Sequence, residues 1–217
     1  MLVAPCPSIG DALAPMLARE QSPRGRPQLE VAGPAASDPS PSARRERDLV
    51  RDAQTGSTEA LEDLFRRHWP RAHRAAYLIV HDSAAADDIA QEAFLSAMRA
   101  LHRFDRRRPF GPWLHRIVVN RAIDFARART LRSELGDDAR LDHVGEPDRR
   151  PAAYSDELMK ALAALPPDRR AVVVLRYVLD FTPGEIAQAL DLPRGTVNSR
   201  LRRGLDALEH LLEVETP

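Results

Sequence analysis

The sequence predicts an all-α protein: two small helical domains joined by a flexible linker, the second containing a helix-turn-helix, with a disordered tail in front. Three observations lead there. Residues 181–208 hold two short helical patterns separated by a tight turn. The other periodic segments repeat their apolar residues at helical spacing. The composition loses that period over residues 1–43 and again over 130–153.

The stretch FTPGEIAQALDLPRGTVNSRLRRGLDAL contains the most explicit signals. Thr182 suits an N-cap, Pro183 the first helical position, and Glu185 completes a capping box. Ile186, Ala187 and Leu190 form an apolar face. Asp191-Leu192-Pro193 ends the helix, because proline disfavours the helical conformation in its predecessor. A second helix starts near Arg194, and Val197, Leu201, Leu205 and Leu208 follow at spacings of 4, 4 and 3. The opposite side carries Gly195, Thr196, Ser199, Arg202 and Arg203, with Asn198 and Arg200 on the flanks. Small residues, donors and arginines, with no carboxylate until Asp206, suit a helix laid in a DNA groove. An ordinary amphipathic hairpin usually mixes charge signs on its solvated face.

Residues 1–43 hold eight of the eighteen prolines and show no sustained apolar period, which reads as a disordered tail. Helical composition starts at Arg44. Leu49, Val50 and Ala53 open one helix, and Ala60, Leu61, Leu64 and Phe65 a second that ends near Trp69-Pro70. A third runs from Arg71 to about Val80. Ser83 is placed as the cap of a long helix packed through Ala86, Ala90, Ala93, Phe94, Ala97, Met98 and Leu101, with Asp87 and Asp88 in its first turn. Its far face carries Asp88, Glu92, Leu95 and Arg99 with Gln91 beside them, so a leucine is exposed among acids.

The loop from Arg103 to Pro112 is basic and aromatic, and Trp113 opens a helix lined by Leu114, Val118, Ala122 and Phe125. Arg108, Arg116, Arg121, Arg127 and Arg129 surround it. Cations tracking phosphate and aromatic faces receiving unstacked bases suit single-stranded nucleic acid. The alternative is that Phe110 and Trp113 are core and the arginines merely solvated. Residues 130–153 read as an acidic flexible linker. Helicity resumes at Ser155, with Leu158, Leu162 and Leu165 on one face. Pro166-Pro167 breaks it before Val172, Val173, Leu175 and Val178.

Net charge is zero, but Arg103 to Arg132 holds nine arginines against two aspartates, while Asp82 to Met98 holds four acids and no base. Charge sorted in this way points to surfaces that meet partners of different sign. The single Cys6 cannot form an internal disulfide, and His68 and His73 read as scattered surface residues rather than metal ligands. No cofactor is expected. The apolar runs are too short to span a bilayer, and no secretory signal is read at the start, so a cytoplasmic location is expected.

Two segments carry a family resemblance. DDIAQEAFLSAMRAL followed by FGPWLHRIVVNRAIDFAR resembles the second conserved region of bacterial sigma factors, and LPPDRRAVVVLRYVLDFTPGEIAQALDLPRGTVNSRLRRGL resembles their fourth. The linker is too short for the third region, so the chain resembles the extracytoplasmic-function subgroup over roughly residues 46–212. The resemblance implies that residues 44–129 bind core polymerase and the −10 element, and that 154–217 bind the −35 element. Asp88, Gln91, Glu92 and Leu95 would dock on the β′ clamp helices, and the β flap is a second core contact. Arg108, Phe110, Trp113, Arg116, Asn120, Arg121 and Arg127 would open the −10 element. Arg194, Thr196, Asn198, Ser199, Arg200, Arg202 and Arg203 would read the −35 element. It also implies an anti-sigma partner and a free chain that is monomeric. Asn198 stands where many relatives carry a basic residue, so the promoter sequence does not follow by analogy.

Two other function classes find less support in the sequence. A stand-alone repressor would need a dimer interface, and neither a heptad nor a spare apolar helix supplies one. An enzyme would need a phosphate loop, paired carboxylates or a nucleophile motif, none of which occurs in residues 44–129.

Overall fold

The computed structural model describes residues 41–135 and 154–214. The predicted tail, apart from its last three residues, and the linker from 136 to 153 lie outside them. Helices α1 (Pro41–Gln54), α2 (Thr58–Val80), α3 (Ser83–Ala100) and α4 (Phe110–Glu134) form the first group, with a 3₁₀ turn at Leu101–Arg103. Helices α5 (Asp156–Ala164), α6 (Pro167–Tyr177), α7 (Pro183–Leu190) and α8 (Arg194–Val214) form the second. No strand occurs among the described residues.

In the first group α2 is the central element, packed against α1, α3 and α4. The sequence reading splits it at Trp69-Pro70, yet it continues through Pro70 for 23 residues. Pro70 removes one backbone donor and crowds the preceding turn. Burial outweighs this: His68, Ala72 and the run Ala75 to Val80 press the helix into the core on both sides of the ring. The helix ends at His81, whose left-handed backbone (φ 55°) lets its N–H reach the Tyr77 carbonyl. The cap of α3 is Asp82, one residue before the expected Ser83, and it accepts from the Ala85 N–H at 3.0 Å. Asp87 and Asp88 therefore fall in the second turn.

The fourth helix begins at Phe110 rather than Trp113 and outlasts the predicted boundary by five residues. Pro109 offers no side-chain cap. Instead Glu46, from α1, accepts the Gly111 N–H at 3.2 Å and places a carboxylate at the positive end of α4. Gly111 lets the start of α4 sit close against His68, since a Cβ there would lie a tight 3.1 Å from the His68 ring.

In the second group the local signals act as read. Ser155 caps α5 and Pro167 occupies the first turn of α6. Thr182 and Glu185 close a full capping box on α7. Asp191 ends α7 in the left-handed region (φ 52°), where its short polar side chain tolerates a turn that most residues avoid. Val197, Leu201 and Leu208 are buried. Gly204 lets α8 approach α6 closely, since a Cβ there would meet Val173 Cγ2 at 3.0 Å.

The two groups pack on each other: α6 touches α2 and α4, α5 touches α2, and α7 touches α4.

Candidate nucleic-acid interface

The turn between α7 and α8 places the second helix of the motif at the surface. Arg194, Gly195, Asn198, Arg202 and Arg203 are exposed, while Thr196 and Ser199 are half-buried. Arg200 is also half-buried and turns inward, where its guanidinium pairs with Asp168 at 3.1 Å. An exposed face therefore remains at Arg194, Asn198, Arg202 and Arg203, while Arg200 is held back by its ion pair.

The second basic surface comprises the loop before α4 and one side of that helix. Arg103, Arg106, Arg107, Arg108 and Arg116 are exposed. Trp113 and Asn120 are half-buried. Phe110 differs from expectation: at 1% exposure its ring is enclosed by Phe104, Trp113 and His68 at centroid distances of 5.8, 5.6 and 5.2 Å. It packs the loop from beneath and offers no face to a base. Arg121 pairs with Glu92 at 2.7 Å and donates to Ser96 Oγ at 2.7 Å, joining two surfaces that the sequence assigned to different tasks.

The third surface lies between α2 and α3. Leu61, Glu62, Phe65, Gln91, Phe94, Leu95 and Met98 line a shallow, mostly apolar groove of about 340 Å³. Leu95 is 56% exposed and Phe65 41%, the Phe65 ring stacking on Trp69 and tilting against Phe94 at 4.8 Å from each. Asp88, Gln91 and Glu92 stand exposed along its acidic side. Apolar side chains with a polar rim are the composition found at the core of protein–protein contacts. Leu95 and the acids are legible from spacing alone, whereas Phe65 reads only as part of a helix face. Its share of the groove depends on how α2 is rotated against α3, and spacing within α2 does not encode that.

The contact between the two helical groups contains Arg170 and Arg71, which have no assigned task in the sequence, beside Arg127 and Asn120, which the resemblance assigns to the −10 element. Arg170 is 7% exposed and donates to the carbonyls of Ile79, Ala163 and Leu165. Burial lowers its pKa to about 10, so it remains a cation at neutral pH. Arg71 donates to Asp180 at 2.5 Å and to the Val178 carbonyl at 3.1 Å. Arg127 binds Asp168 Oδ1 through Nε at 2.9 Å and Nη2 at 2.6 Å. Asn120 Nδ2 donates to the Ala189 carbonyl at 3.3 Å.

His68 is a correction to the surface reading: it is buried, near Glu46 and His115. His115 is 4% exposed, and burial together with the neighbouring His68 lowers its pKa to about 3. The unfolded chain therefore takes up a proton near pH 6.5 that the folded chain refuses until about pH 3. Stability from this group is complete above 6.5 and falls as the pH drops towards 3. Urea unfolding at pH 7 and pH 5 is expected to show a loss on the order of 2 kcal/mol from His115. The His115→Gln variant should flatten that part of the profile. Among the described residues no His, Cys, Asp and Glu cluster has the makings of a metal site, and no helix is long and apolar enough to cross a membrane.

These surfaces define a two-part helical protein with two arginine-rich faces and one apolar, acid-rimmed groove. Residues 64–132 match the family Sigma-70 region 2, and residues 155–208 match Sigma-70, region 4. The chain is 34% identical to the ECF RNA polymerase sigma factor SigM of Mycobacterium tuberculosis, over 78% of this chain and 85% of SigM. Among solved structures it resembles CnrH, determined in complex with the cytosolic domain of CnrY, at 28% identity and a TM-score of 0.60. That likeness covers 79% of this chain and 99% of CnrH. The fold is shared with the sigma factor RpoE of Bartonella quintana, determined with the anti-sigma factor NepR. That match has 22% identity and a TM-score of 0.58, over 71% of this chain and 97% of RpoE. The chain belongs to the extracytoplasmic-function sigma factors of bacterial RNA polymerase. It is a promoter-directing transcription initiation factor, a non-catalytic specificity subunit.

Proposed function

We propose that the three surfaces divide the work of initiation. The groove between α2 and α3, with Asp88, Gln91, Glu92 and Leu95, docks on the clamp helices of the polymerase β′ subunit. The second helical group reaches the β flap. The α4 face, with Arg108, Trp113, Arg116, Asn120, Arg121 and Arg127, engages the −10 element as its strands part. Helix α8 reads the −35 element through Arg194, Thr196, Asn198, Ser199, Arg200, Arg202 and Arg203. An anti-sigma protein restrains the chain until it is needed, a reading supported by the RpoE–NepR complex of the same fold. The domain limits follow: residues 44–129 serve the core enzyme and −10 element, and 154–217 the −35 element.

The observation that carries this reading is the exposed face of α8, where Arg202 and Arg203 stand beside Asn198 with small residues leading the helix. A single helix of this kind makes few base contacts, each worth about 1–3 kcal/mol of discrimination. Two such readers become selective once a larger scaffold fixes their separation, and the polymerase is that scaffold. Specific DNA binding by the free chain is correspondingly weak, and promoter selection belongs to the holoenzyme.

In transcription by reconstituted holoenzyme, Arg203→Ala should weaken −35 discrimination by about 1–3 kcal/mol and leave core binding unchanged. An unaltered promoter preference, measured by selection from a randomised −35 library, would remove Arg203 from the reading face.

A further inference from the structure

We infer that helix α1 is a splint for the loop that leads into α4, with Gln54 and Glu46 as positioning residues for reading the −10 strand. Gln54 holds the entry of residues 101–111 and Glu46 their exit. The inference rests on the assignment of the α4 face to the −10 element made above. Helix α1 itself lies ahead of residues 64–132, the segment that matches Sigma-70 region 2.

The two clamps stand about two turns apart on one helix, roughly 12 Å along its axis. Gln54, the last residue of α1, donates from Nε2 to the carbonyls of Leu101 and Phe104, at 2.9 Å each. Carbonyls at a helix end are short of intrahelical partners, and a side-chain amide has the two N–H donors that this pair needs. Glu46 accepts the Gly111 N–H at 3.2 Å, and the buried His68 stands beside it, Nε2 to carboxylate 3.6 Å. Between the clamps the loop makes its own turn. Asp105 accepts the Arg107 N–H on its side chain and the Arg108 N–H on its carbonyl, both at 3.0 Å. Packing against α1 does not fix this stretch. A cavity of about 260 Å³, lined by Arg47 and Val50 from the helix and Arg106 and Arg108 from the loop, lies between them.

The loop needs such a hold for two reasons. Arg103, Arg106, Arg107 and Arg108 stand exposed and close together, and like charges in a free segment repel and extend it. The second reason is Phe104, whose ring packs on Trp113 at a centroid distance of 4.6 Å and on Phe110 at 5.8 Å. By pinning the Phe104 carbonyl, Gln54 fixes the ring that backs the half-buried Trp113, the side chain placed to receive a base. Gln54 thus acts on the −10 strand through Phe104 and Trp113 without touching it. A loop already held in its binding shape avoids the cost of being ordered on the DNA. One that samples several shapes loses affinity by the fraction of chains in the competent one.

The test uses the full chain in reconstituted holoenzyme and a forked −10 template whose non-template strand is unpaired. Gln54→Met keeps the length of the side chain and removes both donors. It should lower affinity for this template about tenfold, the scale of one or two net hydrogen bonds. Affinity for core polymerase and selection from a randomised −35 library should stay at the parent values, which a merely structural loss would also move. Gln54→Lys, which returns N–H donors at similar reach, should recover the greater part of the loss. Glu46→Ala should behave as Gln54→Met does, and Glu46→Gln, still an acceptor for Gly111, should retain most of the parent's affinity. In a Trp113→Ala background Gln54→Met should cost no more than about twofold, because residues that act through one contact are not additive. Parent-level template affinity in Gln54→Met, beside a loss in Trp113→Ala, overturns the splint. So does a loss that Gln54→Lys leaves unrepaired, or one that spreads equally to core binding. Parent-level affinity in Trp113→Ala overturns instead the −10 assignment of that side chain, and the route from Gln54 with it.

Discussion

Replacing Leu95 by aspartate should weaken binding to core polymerase about 100-fold while the chain stays folded. The side chain is 56% exposed in a groove whose other apolar lining is Leu61, Phe65, Phe94 and Met98. It contributes little to the interior, so a surface substitution there should change stability by less than about 0.5 kcal/mol. When the groove is covered by a partner, the same position becomes an apolar anchor at the centre of a contact. Anchors of that kind carry about 2–4 kcal/mol each, and a carboxylate placed there must also be stripped of water without a counter-charge. A 100-fold loss corresponds to about 2.7 kcal/mol. Fluorescence competition against a labelled reference sigma factor measures it. Ala84→Asp is the matched control: it adds the same charge at an exposed position near the start of the same helix, outside the groove. Equal affinity of the Leu95→Asp and parent chains would place the docking surface elsewhere.

What the sequence made legible is what depends on neighbours within one or two turns. The capping box at Thr182 and Glu185, the stop at Asp191 and the buried row Val197, Leu201 and Leu208 are local, so residue type and spacing suffice to read them. Leu95 was legible for a related reason: an apolar side chain on the polar face of its own helix violates a local pattern. Pro70 reads as a helix end but is not one, because the burial of α2 on both sides of the ring overrides the local rule. The ties between the helical groups had no local trace. Arg170 meets Ile79 across 91 residues, Arg71 meets Asp180 across 109, and Arg127 meets Asp168 across 41. An arginine bound for a buried carbonyl and one bound for solvent look alike in a sequence this rich in arginine.

Phe110 and Trp113 put the same distinction to an experimental test, because the sequence left both between core and nucleic acid and the structure separates them. Phe110→Ala should cost about 3–5 kcal/mol of stability, the range for emptying a fully buried aromatic site. Its ring holds Phe104, Trp113 and His68 together, and Gly111 beside it leaves no side chain to fill the space. Phe110→Leu, which keeps most of the volume, should recover the greater part of that loss and support promoter opening. Trp113 is half-buried, its ring 4.6 Å from Phe104 with one side towards the cleft beneath α7. Trp113→Ala should therefore cost less stability than Phe110→Ala and lose more in function, about 1–3 kcal/mol if a base of the opened strand stacks there. Urea unfolding gives the first quantity. The fluorescence of 2-aminopurine placed through the −10 element in the holoenzyme complex gives the second. Opening abolished in Phe110→Leu while its stability is retained would return that ring to the DNA. Opening preserved in Trp113→Ala would leave the arginines of α4 to part the strands without an aromatic platform.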